Sequence, residues 1–120
     1  MNAFQLAKTA YSPVTAPMRS AQSNEYDAFV KVTTALKTAE TPAQTARAVY
    51  DNRTLWGLLA ADVAGDGNQL PPTLRARIFY LSEFTNAHSR KVLAGEATSD
   101  ALVDINTAIM AGLREQRSAA

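Results

Sequence analysis

If this chain performs chemistry, the residue types for it lie between Asp62 and Arg75. There "DVAGDGNQLPPTLR" crowds acids, glycines, an asparagine and prolines between apolar runs. An EF-hand loop takes oxygen ligands at positions one, three and five, glycine at six and a bidentate glutamate at twelve. Counted from Asp62, the third position is Ala64 and the twelfth is Thr73, so only Asp66 and Gly67 fit. A phosphate loop would open the next helix with Gly-Lys-Ser/Thr, and this stretch has no lysine. The same residues suit a corner between two helices. Gly65 or Gly67 supplies the left-handed conformation that stops a helix, and Asn68 makes an Asx-type turn. Leu70 packs back on the core, and a proline, Pro71 or Pro72, starts the next helix where its missing N–H is harmless. Asp62 sits badly against a helix C-terminus unless Arg75 or Arg77 reaches back to it.

Other candidates fare no better as chemistry. His88 is the single histidine, and it falls on an apolar stripe, the place of a bundle-edge histidine rather than a base or ligand. Asp100 and Asp104 stand four apart on one helical face, but a cap or first-turn acid near a positive helix end explains both. No serine sits in a G-x-S-x-G elbow. With no cysteine, thiolate metal sites, disulfides and a cysteine nucleophile are excluded. No convergent catalytic set exists, so the expectation is a non-enzyme with no cofactor and no metal. Basic residues pair as Arg75/Arg77, Arg90/Lys91 and Arg114/Arg117. With Tyr80 as a stacking base they would make an RNA-facing patch only if two pairs converged. A formal charge of +1 favours an ordinary solvated face.

The elements that must position these residues are helical. The chain has 120 residues, is 47% apolar with alanine prominent, and has its β-branched valines and isoleucines thinly scattered, a composition for an all-α single domain with a thin core. Residues 1–20 read as a short helix through Phe4, Leu6, Ala7 and Tyr11, then a linker carrying Pro13 and Pro17. Residues 21–117 form the helical domain and 118–120 a tail. One helix starts at Ser23 or Asn24, with Glu25 and Asp27 in its first turn and Phe29, Val32, Thr33 and Leu36 at helical spacing. A second starts with Thr41 as cap and Pro42 at the first position. Its face is Ala46, Val49, Arg53, Trp56, Leu59, Ala60 and Val63, broadened by Leu55 and Leu58. A third carries Leu74, Ile78, Leu81, Phe84 or Thr85, His88 and Val92, and stops at Gly95. A last one, from Ser99–Asp100, has Leu102, Ile105, Ile109 and Leu113 in line, with Ala101, Ala108 and Gly112 beside them for close approach. Four to five amphipathic helices with short connections make an antiparallel bundle or array. Trp56 with Arg53 one turn before it reads as core with a snorkelling cation. Phe79 and Tyr80 leave their stripe and suggest an exposed surface for a helix-in-groove partner. No signal peptide is visible at the start and no apolar run spans a bilayer, so a cytoplasmic, non-inserted protein is expected.

Ordered along the chain, Ala10–Tyr11, "NEYDAF" (Asn24 to Phe29), Leu55–Trp56 followed by Asp62, "NQLPPTLRARI" (Asn68 to Ile78) and "LVDINTAIMAGLR" (Leu102 to Arg114) resemble the alphaproteobacterial FlaF family of flagellar biosynthesis regulators. The corner and the terminal helix are the most specific parts. Phe84, where the family has a tryptophan-like aromatic, is a local departure. The resemblance implies a small helical protein needed for flagellin production and export, opposing the translational regulator FlbT. It makes Trp56, Asp62, Asn68, Leu70, Pro71, Arg75, Asp104 and Asn106 structural motif residues. A flagellin chaperone that relieves repression of flagellin synthesis follows, with Phe79, Tyr80 and Phe84 as the binding face and Tyr11 on a movable N-terminal flap. The rival expectations are a regulator bound to flagellin messenger RNA, and an adaptor acting through FlbT or the export apparatus.

Overall fold

The computed structural model describes residues 21–65, 67, 68 and 70–119. The short helix and linker expected over residues 1–20, Tyr11 included, lie outside them. Four helices follow in order: α1 Ala21–Thr38, α2 Pro42–Ala64, α3 Pro72–Leu93 and α4 Asp100–Ala119. Each packs on its chain neighbours, and α4 closes back on α1, so α1 and α3 stand diagonally across an all-helical bundle.

The helix ends follow from local chemistry. Thr41 caps α2 by accepting from the Gln44 N–H at 3.1 Å, and Gln44 Oε1 returns the favour to the Thr41 N–H at 3.2 Å. This capping box, with Pro42 behind it, satisfies donors that a helix start leaves open. At the end of α3, Gly95 takes φ +76°. Its N–H reaches Val92 O at 3.0 Å and the Glu96 N–H reaches Lys91 O at 2.8 Å, the paired bonds of a Schellman stop. The start of α1 departs from expectation. The helix already runs from Ala21, so Ser23 and Asn24 lie within it rather than capping it. At the other extreme α4 continues to Ala119, through residues expected as a tail.

Two apolar clusters fill the bundle. One gathers Phe29, Leu55, Trp56, Leu59, Val63, Leu70, Ile78, Ile109 and Leu113; the other gathers Leu36, Ala48, Val49, Val92 and Leu102. Their membership fixes the directions: on every helix the two clusters are entered in opposite order from its neighbour, so all four pairs run antiparallel. Trp56 is core as expected, set edge-on against Phe29 with ring centres 5.4 Å apart. Gly112 lies under Leu74, where an added Cβ would sit 3.6 Å from its Cδ1, so one of the expected small residues does let α3 approach α4.

A polar level separates the clusters. Asn106 is fully buried on α4; its Oδ1 accepts from Trp56 Nε1 at 2.8 Å, and its Nδ2 donates to Asn52 Oδ1 at 2.8 Å and Thr33 Oγ1 at 3.0 Å. One amide therefore ties α1, α2 and α4 together. The α2 face is corrected accordingly. Ala46 is exposed, and Ala48 and Asn52 take the inward positions. A polar residue at a core level is invisible to a count of apolar spacing.

Candidate functional site

The corner between α2 and α3 is built as a corner. Gly65, in extended conformation, hydrogen-bonds its N–H to Asp62 O at 3.1 Å, and among the described residues of the corner Gly67 is the left-handed one, at φ +85°. Asn68 Oδ1 accepts from the Leu70 N–H at 3.0 Å in the expected Asx turn, and Leu70 is buried in the first cluster. Asn68 Nδ2 reaches back to Asp62 Oδ2 at 3.2 Å. The Asp62 partnership expected of an arginine is taken by Asn68 and by Glu25 of α1, whose carboxyl hydrogen-bonds that of Asp62. Arg75 keeps a buried Nε without a hydrogen bond. Burial, then the charge of Asp62 and that hydrogen bond, push the Glu25 carboxyl up to about 8. Glu25, expected only as an acid in the first turn of its helix, is buried at 3% exposure. Among the described residues no three His, Cys, Asp or Glu side chains are grouped to hold a metal ion.

The other expected positions divide into interior and surface. Asn106 and Trp56 share the buried network, Pro71 precedes the first turn of α3, and Asp104 faces solvent on α4. His88, half-buried, sets its Nε2 3.0 Å from Thr98 O and so pins α3 to the connection before α4. Arg114 Nη2 donates to the Tyr26 hydroxyl at 3.1 Å and its guanidinium lies over that ring. An alanine-lined cleft, Ala35, Ala39, Ala43 and Ala48 with Arg47 and Asp51 at its edge, opens beside the α1–α2 connection. Arg47 and Asp51 there close an exposed pair at 3.3 Å.

The surface that stands out is the outer face of α3. Inward, the helix presents Ile78, Ser82, Thr85, Ser89 and Val92, mostly small and hydroxylic. Outward it presents Phe79 at 51% exposure, Tyr80 at 69%, Phe84 at 42% and Leu93 at 50%. Phe84 thus belongs to the surface and Thr85 to the core, which resolves the expected stripe. Leu74, Leu81 and His88 from that stripe are only half-buried, and Ser82 and Ser89 replace them inside. A soluble helix ordinarily turns its apolar side inward; here the three large aromatics, Phe79, Tyr80 and Phe84, face water. The exposed aromatics are not loose appendages. Phe84 stacks on His88 with ring centres 5.6 Å apart and planes within 11°, and His88 is held by Thr98. Arg77, Arg90 and Lys91 surround the aromatics, with Glu83 the acid among them. This brings together three of the four residues expected to bind a partner, and the fourth, Tyr11, lies outside the described residues.

No described helix is long and apolar enough to cross a membrane. No curated protein and no solved structure matches the chain. A family model described as "Flagellar protein FlaF" matches residues 7–113, from before Tyr11 to the end of the buried stripe of α4. With the corner, the tryptophan and the terminal helix inside that match, the chain belongs to the flagellar protein FlaF family.

Proposed function

We propose that this flagellar protein works without catalysis, by binding flagellin as a secretion chaperone, and that it thereby promotes flagellin synthesis in opposition to FlbT. The single observation behind the reading is the outer face of α3, with three large aromatics turned to water on a rigid, pinned helix. A surface of that kind anchors interfaces, because aromatic side chains bring large apolar area with little rotamer freedom to lose. Flagellin held for export must keep helical apolar stripes covered, and a helix-on-helix contact does this.

Calorimetric titration of monomeric flagellin tests the reading. Binding with a negative heat-capacity change, weakened about 10- to 100-fold by Tyr80→Ala, is the expected result. A well-folded protein that binds no flagellin overturns direct chaperoning. Tight, steeply salt-dependent binding of flagellin messenger RNA would then favour the RNA regulator, and binding to FlbT or export components the adaptor.

A further inference from the structure

The outer face of α3 has an order that the presence of aromatics alone does not require. Arg77, Tyr80, Phe84, Ala87 and Lys91 follow one another at steps of three, four, three and four, and all five are exposed. Such spacing is the seam of a two-helix contact, where knobs of one helix enter holes of another. The seam is apolar in its middle and cationic at both ends, which lie about 21 Å apart along the helix at 1.5 Å per residue. The neighbouring row adds Phe79 and Arg90.

Resting on the flagellin-binding reading above, we propose the chemistry of the segment that fills this seam. It is an amphipathic helix of about four turns, apolar along its contact row, with a carboxylate side chain at each end of that row. Each carboxylate meets the Arg77 end or the Arg90–Lys91 end. Charge selects this occupant over the nearer ones. Residues 1–20 of the same chain carry Lys8, Arg19 and no acid, so they meet α3 as like charge. A second copy repels as well. Antiparallel seams set Arg77 against Lys91, and parallel ones set Arg77 against Arg77. The cations at the two ends frame the row and do not run along it, which suits two carboxylates better than a string of phosphates.

The test uses the full chain with Tyr80→Ala, the double reversal Arg77→Glu/Lys91→Glu, and Glu83→Lys. All these positions are exposed, so melting temperatures should stay near that of the parent. Monomeric flagellin should bind about 10-fold more weakly to the double reversal at low salt, with the difference shrinking at high salt, and more tightly to Glu83→Lys. If flagellin binds all variants like the parent, the seam is not its site and the flagellin reading survives. If the parent binds no flagellin, two synthetic helical peptides decide about the seam by itself. They share one apolar row and end in glutamates or in lysines. Preference for the glutamate peptide, lost in the double reversal, supports the assignment. No binding, or preference for the lysine peptide, overturns it. So does sedimentation showing a dimer that Tyr80→Ala dissociates, or an RNA that displaces the glutamate peptide.

Discussion

Helices α3 and α4 are neighbours of similar length with opposite cross-sections. α4 buries Leu102, Ile109 and Leu113 completely and turns Asp104, Thr107 and Glu115 to solvent. α3 buries Ser82, Thr85 and Ser89 and exposes Phe79, Tyr80 and Phe84. Both are held in place, but by different means. α4 is held by apolar burial and by the Asn106 amide; α3 is held by buried Ile78 and Val92, by half-buried Leu74 and Leu81 packed against the core, by its Gly95 stop and by His88. The contrast teaches that a helix in a small bundle need not spend its large side chains on the core if its ends are well fixed. Those side chains are then free for a partner.

The sharpest way to break the comparison is to cut into α4. Leu102→Ala should destabilise the bundle by about 3 kcal/mol, transfer and cavity terms together, read by urea unfolding. Should it fall below about 1 kcal/mol, α4 is not the anchoring helix. Asn106→Ala should cost about 2–3 kcal/mol, because Trp56 Nε1, Thr33 and Asn52 lose a buried partner at once; near-neutrality would mean the polar level contributes nothing.

A third outcome concerns pH. Because the Glu25 carboxyl titrates near 8 in the folded chain, above its ordinary value of 4.5, the folded state holds that proton more tightly than the unfolded one. Its stabilisation is complete at acid pH and is lost as pH rises from the ordinary carboxylate range through 8. Glu25→Gln should therefore raise stability by about 2 kcal/mol near pH 9 and change it little near pH 5. A parent protein whose melting temperature is flat across that span would remove the buried acid from the account. Fourth, Thr85 Oγ1 is buried without a hydrogen bond. Thr85→Val keeps the shape and should stabilise by up to about 1 kcal/mol in the same unfolding assay, where a comparable loss would reveal an unseen partner. Smallest of all is the stability effect of Tyr80→Ala, within about 0.5 kcal/mol, and that smallness is what makes any binding defect in it interpretable.

The start of α2 and the end of α3 were the most legible parts of this fold. Thr41–Pro42 and Gly95 announce themselves because capping is chemistry between residues close in sequence, and the Asn68 turn is readable for the same reason. Trp56 and the α4 stripe follow from periodicity. The inward face of α3 was not legible, since hydroxyl residues carry no apolar signal and Phe84 stands one position from Thr85. Nor was the place of Glu25. Its carboxyl and that of Asp62 are 37 positions apart in the numbering and meet only when α1 lies along α2. Of the candidate surface, Phe79 and Tyr80 showed themselves by leaving the stripe. Asn106 was visible as a motif residue, but its three partners come from α1 and α2 and had no local trace.

The inversion of α3 also bears on how the chain finds its fold. Turned half a revolution about its axis, α3 would put Tyr80 and Phe84 inside and its serines out, a choice that apolar area alone would reward. What disfavours it is the fixing of the helix as it stands: the Asn68 turn and the Gly95 stop set the angle at which it enters and leaves, and Ile78 and Val92, now buried, would turn to water. The turned arrangement is then a competitor built from the same residues and held off by those constraints. Anything seated on the outer seam removes that competitor by mass action. The partner would then act as a mould for this protein, so that shelter during folding runs in both directions.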